Sequence, residues 1–143
     1  MLKQIDPLPG QHTARPVFIQ RPHIDLIWPL VEGFIDKAMR RNDLGDMPSV
    51  RDDVLSGNAL LWVTWNGAKI EAALVTKIVK PHDTKICILV ACGGEGNWPV
   101  LIETIEDYAR SEDCAITRIY GPAAWGRVLS GYKATRVILD KEI

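Results

Sequence analysis

Residues 85–112 read KICILVACGGEGNWPVLIETIEDYARSE. The first seven of them, residues 85–91, are almost continuously apolar, so both faces of an extended strand would be apolar. A strand of that kind lies in the middle of a sheet that helices cover on both sides. This stretch therefore predicts the central strand of a sheet, around which the rest of the chain is arranged.

A glycine-rich turn and a helix follow this strand. The three glycines are Gly93, Gly94 and Gly96. Asn97 is a suitable N-cap residue, and Pro99 suits the first turn of a helix, where no backbone N–H is needed. From Val100 onward, apolar residues recur at helical spacing and acidic residues take the other side, which predicts an amphipathic helix at residues 100–110.

Such a turn has two interpretations. The backbone N–H groups at a helix N-terminus bind phosphate when no side chain is in the way. Alternatively, the glycines serve only to make a tight connection between the strand and the helix. Taken alone, the turn is a weak functional signal.

Length and composition indicate one globular domain. The chain has 143 residues, 47% of them hydrophobic, and a formal net charge of -1 at pH 7. This charge does not favour binding to nucleic acid or to an anionic membrane, and no apolar run is long enough to span a membrane. The N-terminus lacks the apolar region of a signal peptide, so we expect a cytoplasmic protein. The three cysteines lack metal-ligand spacing, so we expect free thiols and no metal.

The hydrophobic pattern and the turn residues predict the other elements. We expect an irregular arm at residues 1–16 and a single domain at residues 17–143. Strands are predicted at residues 17–20, 60–65, 69–80, 115–120 and 135–141. Helices are predicted at residues 23–41, 50–55 and 123–129. Pro29 suggests that the first helix becomes regular near Trp28, Ser49 is a candidate N-cap, and Asn66 with Gly67 is a hairpin signal.

The order of these elements predicts an α/β fold with a mixed sheet. The strands at 60–65, 69–80 and 85–91 are expected to form an antiparallel meander. A right-handed crossover through the next helix would then place the 115–120 strand parallel to the 85–91 strand.

This order, with a glycine turn after the fourth strand, resembles the fold of the GNAT acyltransferases. The resemblance rests on five short stretches, at residues 27–31, 61–63, 72–73, 125–129 and 138–142. It is greatest to short GNAT-like proteins of phages and prophages, which would place the chain in the cytoplasm of a bacterial host. The resemblance implies an N-acetyltransferase with acetyl-coenzyme A (acetyl-CoA) as cofactor and a small-molecule or protein amine as acceptor.

In GNAT enzymes, a Gln/Arg-x-x-Gly-x-Gly/Ala loop holds the pyrophosphate of the cofactor through backbone N–H groups. The matching residues here, with the helix cap after them, are Ala91, Cys92, Gly93, Gly94, Glu95, Gly96 and Asn97. Gly94 and Gly96 agree with the family pattern. Ala91 replaces the polar first residue, and Glu95 adds a carboxylate that opposes phosphate binding.

The resemblance also suggests catalytic residues. In the family, a Tyr near the last helix often protonates the leaving thiolate, and Tyr132 is the nearest match here. A shifted alignment would put Arg127 in that place. Tyr132 has an alternative role as an anchor between helix and strand. Glu71, a carboxylate inside a predicted strand, is the candidate base that deprotonates the amine, and its alternative position on an antiparallel hairpin faces solvent.

Other functions stay open. One alternative is a non-catalytic GNAT-fold module for binding or assembly, possibly encoded by a phage, and another is an unrelated α/β domain. A cleft blocked by Trp98 or Glu95 would favour the module. Trp98 and Trp125 are assigned either to the wall of the cleft or to the core. A homodimer is compatible with the sequence, which does not determine the oligomeric state.

Overall fold

The computed structural model describes residues 15–41, 47–96, 98–121 and 125–143. The strands within these ranges are β1 (Val17–Phe18), β2 (Leu60–Trp65), β3 (Ile70–Val79), β4 (Ile86–Gly94) and β5 (Ile116–Ile119). The α-helices are α1 (Ile24–Arg41), α2 (Met47–Ser56), α3 (Trp98–Ser111) and α4 (Trp125–Val128). Short 3-10 turns precede α1 and β4, at Arg21–His23 and Pro81–Asp83.

The described strands form one sheet in the order β1–β2–β3–β4–β5. Neighbouring strands are antiparallel from β1 to β4, while β5 lies parallel to β4. Because a parallel neighbour needs a crossover connection, α3 links β4 to β5. The predicted meander, the predicted parallel pair and the mixed α/β fold class are confirmed.

Hydrophobic side chains are buried on both faces of the sheet. On one face, buried helix residues come from α1 and α2, among them Val31, Ile35 and Val54. On the other face they come from α3, among them Leu101, Ile105 and Ala109. β4 contributes to both clusters, with Leu89 on the α3 side and Ala91 on the α1 side. Its continuous apolar sequence follows from this burial on two faces.

A β-bulge in β4 changes the burial of one predicted core residue. Val75 pairs with Ala91 and Thr76 pairs with Leu89, so Val90 is an extra residue in β4. The apolar run at residues 85–91 predicts burial on both faces, but Val90 is only half-buried, because the extra residue breaks the alternation of faces. Val63, Leu89, Leu101 and Ile105 are nearly fully buried.

α1 begins earlier than its proline predicts. Instead of becoming regular near Trp28, the helix begins at Ile24 and contains Pro29. Ile24, Ile27 and Trp28 are buried, and their burial offsets the cost of a proline inside a helix. Pro29 itself is exposed, so the carbonyl of Asp25 that loses its helical partner lies on the solvent side.

α2 also begins earlier than predicted. It starts at Met47, and Ser49 lies inside the helix instead of at its N-cap. Pro48 occupies the first turn, where a missing N–H costs nothing, and so the helix extends further toward the N-terminus.

The predicted closing strand at residues 135–141 is wrong for this single chain. Residues 133–143 form neither helix nor strand and are exposed. A strand requires a neighbour for its backbone hydrogen bonds, and the segment has none in the described chain. The helix predicted at 123–129 is confirmed in part as α4, since residues 122–124 lie outside the described ranges.

Three further expectations concern the ends and the ligands of the chain. The arm at residues 1–16 lies almost entirely outside the described residues, and its separation from a domain at 17–143 stays a prediction. None of the described helices is long and apolar enough to cross a membrane. No group of three or more potential metal ligands occurs in the part of the chain that the structure describes.

Candidate active site

β5 ends before β4 does. Residues 86–89 pair with residues 116–119, and this pairing stops at the Val90 bulge. β4 continues to Gly94, where it is paired with β3 alone. The backbone groups on the β5 side of residues 90–94 therefore have no strand beside them in the described chain. We call this unpaired edge of β4, which lies beyond the end of β5, the β4–β5 gap.

Gly93 and Gly94 belong to β4 and not to the turn, which corrects the expected end of this strand at residue 91. A Cβ atom at Gly93 would overlap the backbone carbonyl of Phe34 in α1. A Cβ atom at Gly94 would overlap the carbonyl of Glu71, and the φ angle of 105° also favours glycine. Close backbone packing thus accounts for both glycines without a ligand.

The connection from β4 to α3 is short. Its first residue, Glu95, donates its backbone N–H to the Glu71 carbonyl at 2.9 Å, so this N–H is already bonded. Gly96 has a φ of 143°, and a Cβ atom there would meet the Leu101 side chain at 3.5 Å. Asn97 lies outside the described residues.

α3 begins beside this connection. Its first residue is Trp98, and Pro99 occupies the first turn as predicted. The N-terminus of α3 and the Gly96 backbone are therefore the groups that an anion would meet at this end of the β4–β5 gap. Trp98 and Trp125 are half-buried and pack against the α3-side cluster, so both are attached to the core.

Glu71 lies next to this connection, and a second bulge occurs at its position. The pairing of β2 with β3 shifts between Thr64 and Trp65, which leaves Glu71 without a partner in β2. Glu71 is half-buried, and its Oε1 accepts a hydrogen bond of 2.8 Å from the Asn66 side-chain amide. The oxygen of the same amide accepts two backbone N–H groups of the hairpin, which orients Asn66. The predicted hairpin signal thus also positions a carboxylate.

Tyr132 lies away from the glycine connection. Its hydroxyl is 2.8 Å from the Thr117 hydroxyl and lies close enough to Glu106 for that carboxylate to raise its pKa. Glu106 is eight residues beyond Trp98 in α3, which is about 12 Å along the helix axis. Burial is the main cause that raises the pKa of Tyr132 to about 12, so the hydroxyl keeps its proton at neutral pH. These contacts tie the chain after α4 to α3 and β5.

Charges of both signs surround the connection. Glu71 and Glu95 supply carboxylates, and Arg41 lies close enough for its charge to act on Cys92. Burial raises the pKa of Cys92 to about 12 despite this cation. The thiol is therefore neutral, and a neutral thiol is a poor nucleophile.

The structure brings together only some of the predicted site residues. Glu71 and Glu95 are adjacent, and Gly96 lies at the start of α3, whereas Tyr132 is about two helical turns away. Ala91 and Cys92 are buried in β4 and do not belong to a loop. The sequence did not predict the β-bulge at Val90, because no pattern of residues in β4 marks it. It also missed the contact of Asn66 with Glu71, although the Asn-Gly signal correctly identified the hairpin that contains Asn66.

Several solved structures have the same fold. An aminoglycoside acetyltransferase from an uncultured soil metagenomic sample gives a TM-score of 0.65 at 9% identity, covering 90% of this chain and 94% of that chain. A ribosomal-protein-alanine N-acetyltransferase from Brucella melitensis biovar Abortus gives 0.60 at 9% identity, covering 88% and 99%. A GNAT family acetyltransferase from Staphylococcus aureus gives 0.60 at 10% identity, covering 90% and 97%.

No protein-family model and no curated protein sequence matches this chain. Similarity at about one residue in ten shows a common fold and leaves the activity open. The chain has the fold of the GNAT acetyltransferases, so the resemblance seen in the sequence is confirmed at the level of the fold.

Proposed function

We propose that this protein is a GNAT-type N-acyltransferase, which transfers an acetyl group from acetyl-CoA to an amine. The observation that carries the proposal is the β4–β5 gap, which begins at Val90 and ends beside the N-terminus of α3. The fold shared with solved acetyltransferases supports it.

The residues along the β4–β5 gap suit an extended ligand with an anionic end. An exposed strand edge can hydrogen-bond the amide groups of a ligand, as in strand addition. The Gly96 backbone and the N-terminus of α3 would hold a phosphate. Ala91 adds no polar contact and Glu95 adds a carboxylate, so we propose weak binding. When bound, acetyl-CoA supplies an acyl group activated as a thioester.

We assign the role of base to Glu71. An amine acceptor arrives as an ammonium ion and must lose a proton before it attacks a carbonyl. Glu71 lies at the phosphate end of the β4–β5 gap, so we propose that a chain of waters carries that proton to its Oε2, since Asn66 bonds to Oε1. This assignment applies equally to a small-molecule amine and to a protein amine.

A thermal titration tests cofactor binding. Ligand at about 100 times Kd adds roughly 2.7 kcal/mol of stability, which raises Tm by several degrees in a domain of this size. We expect acetyl-CoA at millimolar concentration to raise the Tm of the wild type slightly. In Glu95→Gln we expect a larger rise, because the charge that opposes phosphate is removed.

The matched control is Glu32→Gln, which removes an exposed carboxylate from α1. Its Tm should respond to acetyl-CoA as the wild type does. A flat response in the wild type and in Glu95→Gln would exclude the enzyme and leave a non-catalytic module for binding or assembly as the better interpretation. That alternative is favoured by one observation, namely that packing alone explains Gly93 and Gly94.

Tyr132→Phe separates the two roles proposed for this residue. From the contacts of its hydroxyl we infer an anchor, so the variant should lose about 1 kcal/mol of stability while kcat stays nearly unchanged. Thr117→Val removes the same hydrogen bond from the other side and should have the same effect. A fall in kcat of about 100-fold in Tyr132→Phe alone, measured by thiol release from acetyl-CoA, would instead identify Tyr132 as the acid.

A further inference from the structure

Residues 133–143 combine a strand-like sequence with almost complete exposure. Val137 and Leu139 are 81% and 90% exposed, and Ile138 and Ile143 are exposed as well. Soluble proteins rarely leave several large apolar side chains uncovered in one short stretch. The stretch has the alternation of a strand but no strand beside it. We call it the 133–143 segment.

β5 has an unpaired strand edge. It is the last strand in the sheet order, so the edge that faces away from β4 is free in the described chain. Ile116 in this strand and Tyr120 just after it are both exposed. A free strand edge presents unpaired N–H and C=O groups and is a template for pairing with another chain.

The 133–143 segment is poorly placed to pair with β5 of its own chain. Tyr132 is held beside Thr117, which is the second residue of β5. If the segment continued from Tyr132 antiparallel to β5, its residues would therefore lie beyond Ile116, where that strand begins. Only a small part of its own edge would remain for pairing.

We propose that the 133–143 segment pairs with the free edge of β5 in a second copy of this chain, and that two copies exchange these segments reciprocally. Each copy carries both the segment and the edge, so a twofold arrangement satisfies both copies with the same contact. The exchange would extend the sheet and cover the exposed apolar side chains.

Charge supports one antiparallel register. Arg118 lies in the middle of β5, and Asp140 lies in the 133–143 segment. Neither residue makes an ion pair with any other described residue. The register that places Asp140 beside Arg118 also places Leu139 beside Ile119. Ile138 then lies beside Tyr120, so apolar side chains face one another.

The first test measures the mass of the full-length protein in solution by sedimentation equilibrium. The wild type should be a dimer and Leu139→Lys a monomer. Because Leu139 is exposed in the single chain, the substitution should leave the monomer folded, which circular dichroism would verify. The control is Leu30→Lys, an exposed leucine on α1, which should remain dimeric. A monomeric wild type, or a dimer that survives Leu139→Lys, would overturn the proposal.

The second test uses charge reversal in two proteins. Arg118→Asp alone and Asp140→Arg alone should each weaken dimerisation by about tenfold, because each dimer then contains two pairs of like charges across a strand pair. An equimolar mixture should regain the affinity of the wild type, since both contacts of the mixed dimer again join opposite charges. A mixture as weak as the separate variants would refute reciprocal exchange in this register.

Discussion

Gly93→Ala is expected to lower the free energy of unfolding by about 3 kcal/mol or more, at the upper end of the cost of overpacking. The new methyl group would overlap the backbone carbonyl of Phe34. A flexible side chain could move aside at low cost, but a helix backbone moves only if α1 shifts away from β4. That shift would loosen the packing of the buried face of α1. Denaturant unfolding followed by tryptophan fluorescence measures the loss.

Gly33→Ala is the matched control, one residue before Phe34 in α1. A Cβ atom there meets nothing within 4 Å. Alanine is favoured over glycine inside a helix, so this variant should gain up to about 1 kcal/mol. If Gly93→Ala were as stable as the wild type, α1 and β4 would not be in backbone contact.

Leu101→Ala is expected to lower the free energy of unfolding by about 2–5 kcal/mol. Leu101 is 1% exposed and lies in the hydrophobic cluster on the α3 face of the sheet. Its side chain also lies near Gly96, where an added Cβ atom would meet it at 3.5 Å. Truncation removes apolar contacts and leaves a cavity that α3 cannot close without moving its N-terminus. We therefore expect Leu101→Ala also to weaken any anion binding at that end of α3.

Leu30→Ala makes the same truncation at an exposed position of α1. It should change stability by less than about 0.5 kcal/mol, as most surface substitutions do. A loss below about 1 kcal/mol in Leu101→Ala would mean that a different face of α3 packs on the sheet. Equilibrium unfolding of both variants in urea decides between these outcomes.

Periodicity and turn chemistry were sufficient to predict most of the architecture. The apolar run in β2 and the Asn-Gly signal after it correspond to local backbone preferences, and both were confirmed. The two-faced apolar run of β4 predicted a central strand for the same reason. Pro99 marked the first turn of α3 because its missing N–H costs nothing there.

The site was less predictable because it depends on two bulges. Val90 and Glu71 are ordinary strand residues in the sequence, and their extra positions arise only from the register between strands. Gly93 and Gly94 imply a turn when read locally, but they are required by carbonyl groups from α1 and β3. Distant backbone contacts of this kind leave no periodic signal.

Strand propensity also misled at residues 135–141, since propensity describes a preference that a neighbour must still satisfy. Pro29 misled for a related reason. Burial of Ile24 and Ile27 on the same helix face outweighs a local helix breaker, and the sequence alone does not supply that comparison.

β5 joins the sheet through four residue pairs only, and α3 separates it from β4 along the chain. The pairs of β2 with β3 and of β3 with β4 close short loops, which cost little chain entropy and form early during folding. We therefore expect β5 to dock after the β2–β4 meander and to detach at a lower free-energy cost than opening of that meander. Local unfolding of β5 would then widen the β4–β5 gap while β4 stays in place, which is a route by which the gap can admit and release a bulky molecule.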